Sequence, residues 1–189
     1  MLRLFIAIEI PAEIKSQISS LIQDLKASNA DVRWEQVEKL HITLKFLGDT
    51  EEELLPKIVL LLDEVAAKSS RFSLTYSGLG CFPNKREPRI IWVGTENRDG
   101  VLLTIDNSIE DAMASLGFEK EKRAFHAHVT IGRVKSQRYV RDLLRRMEST
   151  TLVCNPVEVS QIMLMESKLK PSGSLYTTVK EFRLGTTRI

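Results

Sequence analysis

One four-residue pattern occurs twice in the chain, as His41-Ile42-Thr43-Leu44 and as His128-Val129-Thr130-Ile131. Each is histidine, apolar, threonine, apolar, set in a stretch with strand composition. Side chains alternate across a strand, so the histidine and threonine at i and i+2 share one face and the two aliphatics share the other. In both words the aliphatic face can join a core while the polar face looks into a cleft. A single such word is commonplace in strands. Two copies, one in each half, constrain the fold to bring two similar strands to comparable positions.

The remaining pattern reads as strands and helices in alternation, with strand pairs recurring without an intervening helix. Leu2–Glu9 is an apolar strand, and Pro11 suits the first turn of a helix that presents Ile14, Ile18, Leu21, Ile22 and Leu25 on one face. Short strands follow at 32–34 and 40–47, the second broken by Gly48-Asp49-Thr50. Helix is expected over 51–68, with Pro56 in its early turns where the missing N–H does least harm. Strands at 72–78 and 89–93 flank a basic loop, and a third helix carries Leu102, Ile105, Ile109 and Met113 inward, closed by Gly117. A strand at 125–134, a basic helix at 136–147, and strands at 157–165 and 174–184 around the turn Lys170-Pro171-Ser172-Gly173 complete the chain. That order favours an α+β sandwich with largely antiparallel pairing over a doubly wound parallel sheet.

At 189 residues, 43% hydrophobic and 28% charged, the chain is too apolar to be disordered. A chain of this size buries roughly 70% of its unfolded surface, so it needs neither metal nor disulfides to fold. Lys plus Arg number 27 against 25 for Asp plus Glu, a net charge of +2 that excludes a general polyanion-binding coat but leaves room for a local basic groove. No apolar run approaches the roughly 18 residues of a membrane span. The first residues read as a strand rather than a signal peptide. Cys81 and Cys154 form no CxxC motif and no disulfide framework, so a reducing cytoplasm is the expected compartment.

Two imidazoles and two hydroxyls at one place form a kit for phosphoryl chemistry. Imidazole titrates near pH 6.5, so one neutral and one protonated ring supply a base for an attacking nucleophile and an acid for a leaving group. Threonine hydroxyls with a nearby Lys or Arg can hold nonbridging phosphate oxygens. In-line phosphodiester cleavage without a metal needs no more than this. A catalytically silent module that binds phosphate ends would use the same groove, but it has no need of two titratable groups at matched positions.

The chain resembles the two-histidine (2H) phosphoesterases, and within them the bacterial and archaeal RNA 2′,3′-cyclic phosphodiesterases, once named 2′-5′ RNA ligases. The resemblance rests on an ordered set: Arg3-Leu4-Phe5-Ile6-Ala7-Ile8, then Trp34, Leu40 with the first word and Lys45-Phe46-Leu47-Gly48. It continues with Gly80-Cys81-Phe82-Pro83, Ile91-Trp92-Val93-Gly94, the second word, Leu164-Met165-Glu166-Ser167, Gly173 and Tyr176. It implies a bilobal, pseudo-twofold α+β sandwich of largely antiparallel sheets, with helices outside and a central groove, as one domain of two intertwined lobes over residues 1–189. It implies hydrolysis of an RNA 2′,3′-cyclic phosphate end to a 2′-phosphomonoester, with 2′-5′ ligation as a side activity. His41 would be the proton donor and His128 the proton acceptor. Thr43, Thr130 and Arg133 would grip the phosphate. No metal or other cofactor is implied, and the partner is an RNA or oligonucleotide with a cyclic phosphate end, bound by a cytoplasmic monomer.

Several positions complicate the pattern. Ala127 and Ala124 stand where the family commonly has proline, which relaxes the backbone without removing chemistry. His126 shares a strand face with His128, and His-x-His can begin a metal site only if a third ligand joins it. Strict alternation puts Arg133 on the face of Val129 and Ile131, so a bulge or twist at Gly132 is needed to return it to the groove. Lys45 continues the face of His41 and Thr43 and is placed near the phosphate or next nucleotide, or at an exposed strand end. Phe5 is placed either in the core or in the groove, where it would stack on a base. The basic residues Lys85, Arg86, Arg89, Lys120, Lys122, Arg123, Lys135 and Arg138 cluster near expected groove loops, where they would follow an RNA backbone or remain solvated.

Overall fold

The computed structural model describes residues 1–171 and 173–185; Ser172, in the expected turn, lies outside them. Among the described residues there are fifteen segments of regular structure, here written as strands β1 (Leu2–Glu9), β2 (Val32–Trp34), β3 (His41–Thr50), β4 (Phe72–Phe82), β5 (Ile90–Glu96), β6 (His128–Val134), β7 (Val157–Val159), β8 (Gln161–Lys170) and β9 (Gly173–Arg183). The helices are α1 (Ala12–Lys26), α2 (Leu55–Lys68), α3 (Val101–Ala114) and α4 (Val140–Ser149), with single 3₁₀ turns at Val37–Lys39 and Glu52–Leu54.

All strand pairs are antiparallel and form one curled sheet in the order β7-β4-β5-β6-β3-β1-β8-β9, with β2 pairing β6. This is the expected α+β class with antiparallel pairing. The sheet has two parts, β7-β4-β5-β6 with β2 and β3-β1-β8-β9, each mixing strands from early and late in the chain, and among the described residues the strand pairing that joins them is a single pair, Ile42 opposite Val129. Helices α2 and α3 pack on each other and against β9 and β3, while α1 and α4 pack together and α4 reaches β4. The apolar helix stripes expected from the sequence are buried: Ile14, Ile18 and Leu25 of α1 and Ile105, Ile109 and Met113 of α3 are at most 1% exposed. They join Ile42, Val129 and Ile131 in one core. No helix among the described residues is long and apolar enough to cross a membrane.

Where boundaries differ from expectation, pairing with distant strands is the cause. Gly48 does not end β3: at φ 72° it is accommodated while the strand continues to Thr50, and the register against β1 slips by one residue there. Gly78, at φ 70°, does the same within β4. Glycine tolerates this left-handed backbone, so each marks a bulge instead of a stop. The expected strand at 157–165 is two strands, since β7 pairs β4 and β8 pairs β1 and β9. The basic helix begins at Val140 rather than at 136, behind Tyr139 in a left-handed conformation at φ 56°. Residues 125–127 stay outside the sheet, and β6 starts at His128 itself.

Candidate active site

The join between β3 and β6 builds the site. Ile42 and Val129 face each other with no exposed surface. Moving one residue either way along this antiparallel pair puts Thr43 across from His128 and His41 across from Thr130, all four on the face away from the core. Diagonal neighbours in such a pair lie roughly 7–8 Å apart, a span that a phosphate fills with a hydrogen bond on each side. Both histidines and both threonines line one cavity of about 170 Å³.

The two rings are held in the same way. His41 Nδ1 donates to the carbonyl of Lys39 at 2.7 Å, and His128 Nδ1 donates to the carbonyl of His126 at 2.6 Å. The acceptor is two residues upstream in each case. A carbonyl only accepts, so the proton resides on Nδ1, and in the neutral ring Nε2 presents its lone pair. Aromatic walls restrict both rings. Phe5 lies 5.0 Å from His41 and Tyr176 meets it edge-on at 5.3 Å; Phe82 meets His128 edge-on at 5.1 Å.

Burial pushes the proton affinity of both imidazoles below the ordinary value of 6.5, with the carbonyl hydrogen bonds opposing. The next influences differ between the two rings. The charge of Glu35 raises the proton affinity of His41, against smaller contributions from Lys15 and His128, whereas neighbouring His126 lowers that of His128.

A matched pair of bulges decides what else reaches the cavity. Against β1, Ala7 is opposite Thr43 and Ile6 opposite Lys45, leaving Leu44 as an extra residue in β3. Against β5, Trp92 is opposite Thr130 and Ile91 opposite Gly132, leaving Ile131 extra in β6. Each bulge falls on the last residue of its word and reverses the alternation after it. Arg133 therefore turns into the cavity, and its Nε donates to Glu35 Oε1 at 3.1 Å.

The same reversal removes Lys45 from the groove, correcting the expectation that it sees the phosphate. Lys45 is 6% exposed and its Nζ donates to Glu110 Oε2 at 2.7 Å and to the Glu119 carbonyl at 2.9 Å. Phe46 takes the place on the cavity wall that alternation assigned to Lys45. Phe5 borders the cavity but is 3% exposed and lies against His41, so it has no free face for a nucleobase. Ser167 and Tyr176, paired across β8 and β9, also line the cavity.

Glu35 and Lys39 reach the wall from the segment between β2 and β3, and nothing in their local sequence marked them. None of the basic loop residues lines the cavity; Lys85 pairs with Glu148 and Lys120 with Asp111 on the surface. His126 is exposed beside Trp92 and Phe82, and among the described residues no group of three or more His, Cys, Asp or Glu side chains is arranged to hold a metal.

The profile of the family described as LigT like Phosphoesterase matches the chain twice in succession, over residues 8–92 and 93–176. The chain belongs to the LigT-like phosphoesterase family. Each match contains one word, so the repeated tetrapeptide is the visible part of a repeated family unit, and the protein is a hydrolase of phosphate ester bonds. Among its relatives, the RNA 2′,3′-cyclic phosphodiesterase of Archaeoglobus fulgidus is 34% identical over 182 residues, covering 96% of this chain and 99% of that protein. The protein of the same name from Methanocaldococcus jannaschii is 34% identical over 96% of this chain and 100% of its own length. Of solved LigT-like structures, E. coli LigT complexed with 3′-AMP superposes with a TM-score of 0.77 at 26% identity, covering 97% of this chain and 98% of that one.

Proposed function

We propose that this phosphoesterase opens the 2′,3′-cyclic phosphate at the end of an RNA, giving a 2′-phosphomonoester by metal-independent acid–base catalysis. The observation that carries this is the pairing of the two words at Ile42 and Val129, which directs both histidines and both threonines into one cavity. Relatives named for that activity that this chain matches over nearly their whole length, and crystal structures of E. coli LigT complexed with 3′-AMP and with phosphate, support the substrate class.

His128 accepts a proton from water through Nε2 as the water attacks phosphorus. His41 donates a proton to the ribose 3′-oxygen as it leaves on the opposite side. The assignment follows the differing neighbourhoods: the carboxylate of Glu35 favours an imidazolium at His41, and His126 disfavours one at His128. Thr43, Thr130 and the outer nitrogens of Arg133 hold the nonbridging oxygens, where charge is borne through the transition state. The chain acts in this scheme as one domain over residues 1–189, a cytoplasmic monomer, with 2′-5′ joining of RNA ends as a side activity in which a 5′-hydroxyl replaces water as the nucleophile and the 3′-oxygen again leaves. Water's concentration favours hydrolysis.

The test is incubation with 2′,3′-cyclic AMP and with a cyclic-phosphate-ended oligonucleotide, each in the presence of EDTA. Turnover should persist under chelation and fall by about 10²–10⁴ in each of His41→Ala and His128→Ala, with phosphorus NMR placing the monoester on the 2′-oxygen. Binding without turnover would show an RNA-end binding module instead, and activity that returns only with added zinc would discard metal independence.

A further inference from the structure

The cavity that is to receive an anion has an acidic side chain on its wall. Glu35 is held there at two points: its backbone N–H donates to the carbonyl of Ile131, the bulged residue of β6, at 2.9 Å, and its carboxylate pairs with Arg133 Nε at 3.1 Å. Its side chain is 23% exposed, open enough to act on whatever occupies the cavity. The other charged or titratable groups on the wall are Lys39, Arg133, His41, His128 and the phenol of Tyr176, with Lys15 near His41. With both imidazoles neutral, Lys39 and Arg133 against Glu35 leave one net positive charge, enough to balance one phosphodiester.

We propose that Glu35 is a specificity-determining residue that sets the charge selectivity of the site, admitting a monoanionic cyclic phosphodiester and disfavouring the dianionic phosphomonoester that hydrolysis makes from it. The inference rests on the hydrolytic function proposed above. Ring opening adds close to one negative charge at the same phosphorus above the monoester's second pKa of about 6. Coulomb energy scales with the product of the charges, so a fixed carboxylate repels the dianion with about twice the free energy it spends on the monoanion. The pairing with Arg133 adds to the effect, because a guanidinium already engaged through Nε offers a phosphate fewer donors and less net charge. Glu35 thus weakens product binding more than substrate binding and speeds the emptying of the site.

Calorimetric binding of adenosine 2′-monophosphate to the wild-type protein, Glu35→Gln and Glu35→Asp, at pH 8 and at pH 5, tests this. Glu35→Gln should tighten binding by about tenfold at pH 8, where the probe is a dianion, and by no more than about threefold at pH 5, where it is a monoanion and where losing the carboxylate also lowers the proton affinity of His41. Glu35→Asp, which keeps the charge, should stay close to wild type. Equal tightening at both pH values, unchanged or weakened binding in Glu35→Gln at pH 8, or no binding by any of the proteins would overturn the proposal. Turnover of 2′,3′-cyclic AMP by the wild-type protein is scored separately: turnover without the charge split sinks the role of Glu35 alone, whereas its absence sinks the hydrolytic function.

Discussion

His41 and His128 reach the cavity as two copies of one device, a ring whose Nδ1–H is spent on a carbonyl two residues upstream and whose Nε2 is free. Burial lowers the proton affinity of both, which shifts each towards its neutral form in the unliganded protein. The donor must therefore gain its proton in an acidic fraction of molecules or as the anionic substrate binds. A lowered proton affinity moves the alkaline limb to lower pH, since that limb marks loss of the imidazolium. The profile of kcat/KM should accordingly be a bell centred below pH 6.5, and that of kcat should extend to higher pH because the bound diester stabilises the imidazolium. Initial rates between pH 4.5 and 9 measure both, and a flat profile would remove imidazole from the chemistry.

The elements add what single residues cannot, which is facing. Period-2 alternation placed Lys45 with His41 and excluded Arg133 from His128, and the paired bulges at Leu44 and Ile131 reverse both outcomes. Lys45 is left as one half of a buried ion pair with Glu110, side chains 5% and 13% exposed. Removing one partner of such a pair strands the other charge, which typically costs 3–5 kcal/mol. Lys45→Met should therefore lower stability in urea by about 3 kcal/mol while leaving KM for 2′,3′-cyclic AMP close to wild type, and Glu110→Gln on top of it should restore part of the loss. A KM raised tenfold with unchanged stability would return Lys45 to the phosphate. Phe5 shows the same limit of local reading: strand periodicity placed it in the core or the groove, and it lies at the boundary as a wall for His41.

Across the whole molecule, the single junction at Ile42 and Val129 couples the core to the cavity, since residues of both strands enter the core on one side and the site on the other. The core also encloses a charge that the chemistry does not use. Asp106 on α3 is 5% exposed, and burial, reinforced by Glu110 and opposed by Lys45, raises its pKa from 3.8 to about 6. A raised carboxyl pKa means the folded state holds a proton that the unfolded chain has released. The associated stability is complete below pH 3.8 and is lost as pH rises through about 6. Asp106→Asn should thus raise the melting temperature at pH 7, by an energy on the order of 2 kcal/mol, and change it little at pH 3.5. Calorimetric melts at the two pH values distinguish this from a substitution that disturbs packing, which would lower both.

The sequence by itself determined the words, the core stripes, the antiparallel α+β class and the family, because each is written in local spacing or in an ordered set of residues. Tertiary structure decided which side chains share the cavity. A bulge arises where two strands distant in sequence pair with unequal lengths, and no window of either strand contains that mismatch. Arg133 enters through an irregularity beside Gly132, where the sequence left room for one, whereas Lys45 leaves and Phe46 replaces it through a bulge at Leu44 that nothing in β3 announced. Glu35 arrives because its backbone N–H finds the carbonyl of Ile131 in the other half of the chain. Periodicity fixes the two faces of a strand, and only pairing fixes which face a residue occupies beyond each irregularity.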